Sequence, residues 1–135
     1  MDFTHMLDTN IVSDLIRNPS GMVYERIRQI GERAVCVSII VASEIRFSCA
    51  KKGSERLSRQ AEAVLNALPI LPMEEPADRE YATIRADLEK RGLPIEPNDL
   101  LIAAHARSLG LALATGNTDE FERIPGLVVE NWLIA

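Results

Sequence analysis

Four short segments of this 135-residue chain place an acidic or amide oxygen where a strand is expected to meet a helix. They are Leu7-Asp8-Thr9-Asn10, Ser43-Glu44-Ile45, Pro97-Asn98-Asp99-Leu100 and Thr115-Gly116-Asn117-Thr118-Asp119. A carboxylate that points inward needs a cation, a hydrogen-bond donor or a proton, because stripping its water is costly. Several such oxygens converging from distant parts of one chain point to a divalent-metal site. Each position also has a plainer reading. Asp8 reads as a helix N-cap, although Thr9 or Asn10 would serve as well and leave Asp8 free. Glu44 sits in the apolar helix start Ile39-Ile40-Val41-Ala42-Ser43-Glu44-Ile45, either at a wet helix edge or bound to something. Asp99 follows Asn98, the better cap, and shares a helical face with Ile102, Ala103 and Ala106. Its plain reading is placement at the positive helix end, worth about 0.3–1 kcal/mol. Asn117 alone reads as a turn former. The joint placement of the four is what raises the metal-site reading.

Other chemistries are poorly supplied. The chain has neither a glycine-rich phosphate loop nor a nucleophile elbow. Cys36 and Cys49 lack metal-type spacing and read as reduced, buried thiols of a cytoplasmic protein. His5 lies inside an expected strand and His105 falls off the Asp99 face, which disfavours a metal-independent two-histidine nuclease. A net charge of −5 argues against a dedicated high-affinity nucleic-acid binder. It leaves room for a nuclease whose contact with phosphate is local and metal-assisted. Arg46, Lys51, Lys52, Arg56 and Arg59 form a basic run interrupted by Glu55, whose plain reading is a solvated helix end. No apolar stretch approaches the roughly 20 residues that span a bilayer, and no secretory signal is expected.

These residues must be positioned by an alternation of strands and helices. Apolar spacing and Gly/Pro punctuation predict strands over 3–7, 34–38, 70–73, 111–115 and 127–129. They predict helices over 9–17, 22–30, 40–50, 54–68, 77–91 and 98–109. Strands separated by helices imply an α/β fold: one domain over 1–135, with a mainly parallel sheet of four to five strands and helices on both faces. The ligand crevice of such a sheet lies beyond the carboxyl ends of its strands, where Asp8, Glu44, Asp99 and Asn117 can meet.

In this order and spacing the motifs resemble the PIN-domain ribonucleases, most closely the VapC toxins of bacterial toxin–antitoxin pairs. The resemblance runs over nearly the whole chain. It rests on Met6-Leu7-Asp8-Thr9-Asn10-Ile11, the Ser43-Glu44-Ile45 helix start, the stretch from Leu93 through Asp99 to Ala106, and Thr115-Gly116-Asn117-Thr118-Asp119-Glu120-Phe121 followed by Trp132. It implies that Asp8, Glu44 and Asp99 are three acids holding Mg²⁺ or Mn²⁺, with Asp8 and Asp99 as direct ligands. Glu44 is assigned to a water-mediated contact or to orienting the nucleophile. Thr9, Asn10 and Thr115 are assigned supporting hydrogen bonds, and Arg46, Lys51 and Lys52 become candidates for RNA phosphates. Asn117 stands where many PIN domains carry a fourth acid, so Asp119 or Glu120 is an alternative source of that charge. Ser48 replaces a glycine frequent in the family. The resemblance further implies RNA cleavage, a VapB-like antitoxin that lays a helix near the acids, and a homodimer. Leu57, Val64 and Leu65 or the last helices would supply the dimer face. Two alternatives stay open. One is an acidic-site phosphotransferase or phosphohydrolase, although Asn10 stands where its second aspartate would be. The other is a catalytically silent PIN-type binding module.

Overall fold

The centre of the sheet is built from short segments too apolar to face water on either side. Residues 2–134 are described by the computed structural model, in which five parallel strands are ordered β3-β2-β1-β4-β5. They are β1 (His5–Leu7), β2 (Val35–Ser38), β3 (Ile70–Leu71), β4 (Ala112–Thr115) and β5 (Val129–Asn131). All four residues of β2 are buried, as are the last three of β4, which is the pattern of a strand covered on both faces. The helices are α1 (Thr9–Arg17), α2 (Met22–Ile30), α3 (Ile39–Lys52), α4 (Glu55–Ala67), α5 (Ala77–Lys90), α6 (Pro97–Ser108) and α7 (Thr118–Phe121). Right-handed crossovers outward from β1 to β2 and β3 put α1 to α4 on one face; the return to β4 puts α5 and α6 on the other. One contiguous core runs through both layers, from Ile11 and Val12 of α1 to Ile102, Ala103 and Ala106 of α6.

The expected α/β architecture is therefore present, with five strands. Differences at the ends have local causes. The strand expected over 70–73 stops at Leu71, because Pro72 has no N–H to give the ladder. The last strand is 129–131 rather than 127–129. Gly126 turns the chain with φ 78°, Val128 stays exposed, and pairing starts with Val129 opposite Leu113. The helix expected over 98–109 begins one residue earlier, since Pro97 is well suited to a first helical turn. Helix α3 begins directly after β2, where the Ser38 hydroxyl accepts the Ile40 N–H at 3.1 Å, and ends at Gly53 in the left-handed region. The two segments after β4 and before α1 matter most, because β1 and β4 are neighbours at which the chain's winding reverses. A crevice opens at such a switch point. Cys36 and Cys49 are buried and free, as expected, and burial pushes the Cys36 thiol up to about 12. No helix among the described residues is long and apolar enough to cross a membrane.

Candidate active site

Register brings the first pieces of the site together. Leu7 lies opposite Ala114, and the Asp8 N–H donates to the Ala114 carbonyl at 2.9 Å, so β1 and β4 end side by side. Asp8 is buried, with 2% of its surface exposed. Its Oδ1 accepts the Thr9 N–H at 2.8 Å and caps α1. The cap is thus Asp8 itself, not Thr9 or Asn10. Extended backbone at Asp8 (φ −74°, ψ 166°) carries its carboxylate over the first turn while the next two residues are already helical. Oδ2 accepts from the Thr115 hydroxyl at 2.8 Å and the Asn10 amide at 3.4 Å. The Asn10 carbonyl oxygen in turn accepts the Gly116 N–H at 2.9 Å and ties α1 to the turn after β4. A Cβ at Gly116 would come within 2.5 Å of Leu133 Cδ1, so a larger residue here would push the Leu133 side chain aside.

Glu44 reaches this edge from the second turn of α3. The Thr9 hydroxyl donates to its Oε1 and the Asn98 amide donates to its Oε2 at 3.2 Å, so both oxygens are held. Asn98 is free to do this because α6 is capped by Glu96, whose Oε2 accepts the Asp99 N–H at 3.0 Å. That corrects the assignment of Asn98 as the cap. Asp99 is half-buried, above a helix face whose Ile102, Ala103 and Ala106 are fully buried. Asn117 is exposed, and its amide donates to Glu120 Oε2. Glu120 Oε1 accepts the Glu96 N–H at 2.9 Å and Glu120 also contacts Asp99. Among the alternatives for a fourth charge, Glu120 therefore reaches Asp99 without lining the cleft itself, whereas Asp119 is exposed.

The electrostatics follow from burial and crowding. Desolvation raises the Asp8 carboxyl above its ordinary value against the Thr115 and Thr9 hydrogen bonds, with Glu44 and Glu120 adding to the rise. Asp99 is pushed up to about 8, first by burial and then by the charges of Asp8, Glu120 and Glu96. Among the described residues none of these acids pairs with Lys or Arg within ion-pair distance. Asp8, Glu44 and Asp99 border a cleft of about 400 Å³ together with Thr9, Asn10, Ser13, Arg17, Asn117 and Leu133. The donors are all hard oxygens with uncompensated charge, which suits Mg²⁺ or Mn²⁺. Among the described residues no three His, Cys, Asp or Glu side chains are already gathered as a metal cage. A hard ion that keeps most of its waters needs one or two carboxylates, which Asp8 and Asp99 could supply, with Glu44 tethered beside them.

The remaining expectations divide. Arg46 is turned to α4, where Glu62 takes it in a two-pronged pair at 3.0 Å, so it is not a free phosphate ligand. Lys51 and Lys52 are exposed at the end of α3. His105 is buried against the Ser38 hydroxyl at 2.8 Å, and His5 is bound to Glu130 at 3.1 Å; neither lines the cleft. Leu65, considered for a dimer face, is a core residue. Glu96, Asn98 and Leu133 are contributions that the sequence reading missed. So are Ser13 and Arg17, although Thr9, Ser13 and Arg17 follow one another at intervals of four along α1, a signal for one shared face.

The family profile described as PIN domain matches residues 5–127. The chain is 37% identical over 128 residues to the tRNA(fMet)-specific endonuclease VapC of Shigella flexneri, covering 94% of this chain and 96% of that protein. It is 38% identical over 130 residues to ribonuclease VapC2 of Haemophilus influenzae strain Rd, covering 96% and 98%. Its fold superposes on a chain of the Rickettsia felis VapBC2 complex bound to a promoter DNA fragment with a TM-score of 0.89 at 33% identity, over 96% and 99% of the two chains. For the DNA-bound VapBC of Salmonella typhimurium the TM-score is 0.87 at 34% identity, over 96% and 98%. An oxygen-lined cleft at the β1/β4 switch point, on this fold and with these relatives, places the chain in the PIN-domain family, among the VapC-type ribonuclease toxins.

Proposed function

We propose that this chain cleaves RNA phosphodiester bonds at the Asp8–Glu44–Asp99 cleft, as the toxin of a type II toxin–antitoxin pair that depends on Mg²⁺ or Mn²⁺. The observation that supports it is the convergence of three acids, with Glu120 against Asp99, at the mouth of a parallel sheet, with no Lys or Arg within ion-pair distance of them among the described residues. Asp8 and Asp99 would hold the ion. When bound, the ion supplies neutralisation of phosphate charge and a more acidic water for in-line attack. The protein's own part is to fix the geometry. Thr115 and Asn10 lock one Asp8 oxygen, while the Thr9 N–H locks the other. Glu44, held from both sides by Thr9 and Asn98, would accept a proton from the attacking water. Glu120 supplies the fourth negative charge, and Asn117 positions it.

Structured RNA is the substrate class, with transfer RNA the first to test, because the Shigella flexneri and Salmonella typhimurium relatives are named for tRNA(fMet). A VapB-like antitoxin is the expected partner, since the similar chains from Rickettsia felis and Salmonella typhimurium were crystallised as VapBC. Purified chain should cut RNA with Mg²⁺ or Mn²⁺ and leave 5′-phosphate ends. Full activity in excess EDTA would reject the mechanism.

A further inference from the structure

A second, smaller hollow of about 100 Å³ adjoins the acidic cleft. Ile16, Ile45, Cys49 and Leu57 floor it, and Arg17 and Lys52 stand at its edge. Ser13 and Arg17 line both spaces, so the two are neighbours. Among the described residues neither Arg17 nor Lys52 has an acidic partner within ion-pair distance, in contrast to Arg46 on the same helix as Lys52. Both end their helices, where a cation is favourable in any orientation. That role does not require them to border one apolar hollow beside the three carboxylates of the cleft.

The charge distribution poses a binding problem that this hollow answers. A chain of net charge −5 with an acidic cleft repels RNA, so affinity must come from a local cationic anchor close to the reacting phosphate. Arg17 can take a phosphate with two parallel N–H groups, and Lys52 can act as a second point charge. The lining carries no aromatic face on which a base would stack. We propose that this hollow is the subsite for the nucleotide flanking the scissile phosphate of a single-stranded stretch of RNA. The ribose rests against Ile16 and Leu57, and the flanking phosphate is held between Arg17 and Lys52. The inference rests on the ribonuclease reading, and it makes Arg17 a binding residue that repels no substrate from the acids.

The test separates the two. In the full chain carrying Asp8→Asn, binding of a labelled single-stranded RNA oligonucleotide is followed by fluorescence anisotropy across a salt series. Adding Arg17→Ala or Lys52→Ala should each weaken binding about 3- to 5-fold and lower the slope of log affinity against log salt by about 0.7. Lys90→Ala, which removes the same charge from α5, should change neither. In the cleaving protein the same two substitutions should raise KM and leave kcat within about twofold. Shortening the oligonucleotide from one end only should erase their effect. Unchanged affinity and salt slope in both variants would overturn the subsite even if RNA is cleaved. The expected binding pattern in a protein whose wild type cuts no RNA would overturn the ribonuclease reading instead and leave the subsite standing.

Discussion

At the scale of single residues, Asp8 does two jobs with two oxygens. Oδ1 caps α1 and Oδ2 faces Thr115 in the cleft. Asp8→Asn keeps an acceptor for the cap but loses the charge. It should abolish RNA cleavage by about 100-fold or more while the far-ultraviolet spectrum and melting cooperativity persist. Loss of folding in this variant would show that the charge itself, rather than the oxygen, holds the turn. Thr115→Val removes the hydroxyl that orients Asp8 and should lower activity about 10–100-fold, with the loss read from initial rates at saturating metal. Asp99 gives a pH dependence of definite sign. It titrates at 3.8 in the unfolded chain and at about 8 in the fold, so folding takes up a proton between those values. Its contribution therefore worsens as pH rises through that window. His105, whose pKa burial lowers from 6.5, acts in the opposite sense below that value. Between about pH 6.5 and 8 the metal-free protein should melt lower as pH rises, Asp99→Asn should flatten the trend, and added Mg²⁺ should oppose it. A wild-type melting temperature that climbs across this window would contradict the burial of Asp99's proton.

At the scale of elements, the start of α6 decides where Asp99 points. Pro97 occupies the first helical position and Glu96 caps it, so the whole Glu96–Asp99 turn is locked to Glu120 from α7 and to Glu44 from α3. Glu96→Ala should cost about 1 kcal/mol in urea unfolding, the ordinary worth of a lost cap. Glu96→Gln retains an acceptor for the Asp99 N–H and should recover most of that stability. Equal destabilisation by both would mean that the carboxylate's charge, not its cap geometry, matters. The helices were legible because Ile11, Val12 and Leu15 of α1, or Ile84 and Leu88 of α5, repeat at helical spacing. The cap was not. Glu is a weaker cap former than Asn, and only the Pro97 backbone, which starts the helix early, brings Glu96 into reach.

At the scale of the whole molecule, one core supports a cleft that no single segment could form. Leu65 of α4 belongs to that core, and Leu65→Ala should destabilise the protein by about 2–5 kcal/mol in urea unfolding. Sedimentation equilibrium should show the same association state for this variant as for the wild type. A shift to a smaller species with stability retained would return Leu65 to a subunit interface. The groove beside it, lined by Tyr24, Val64 and Leu68, is a half-buried apolar surface between α2 and the end of α4.

The sequence by itself determined the alternation of strands and helices, the parallel sheet and the three acids. Each of these is written locally, in apolar periodicity, in Gly and Pro punctuation, or in a carboxylate placed where a strand ends. Only the tertiary structure decided which neighbours share those acids. Glu120 enters through a hydrogen bond to the backbone of Glu96, 24 residues away. Arg46 leaves the site because Glu62, sixteen residues on, captures it. Arg17 joins it because α1 runs from the acidic cleft to the hollow beside α3. Pairings of this kind depend on where whole elements pack, and local spacing carries no record of that.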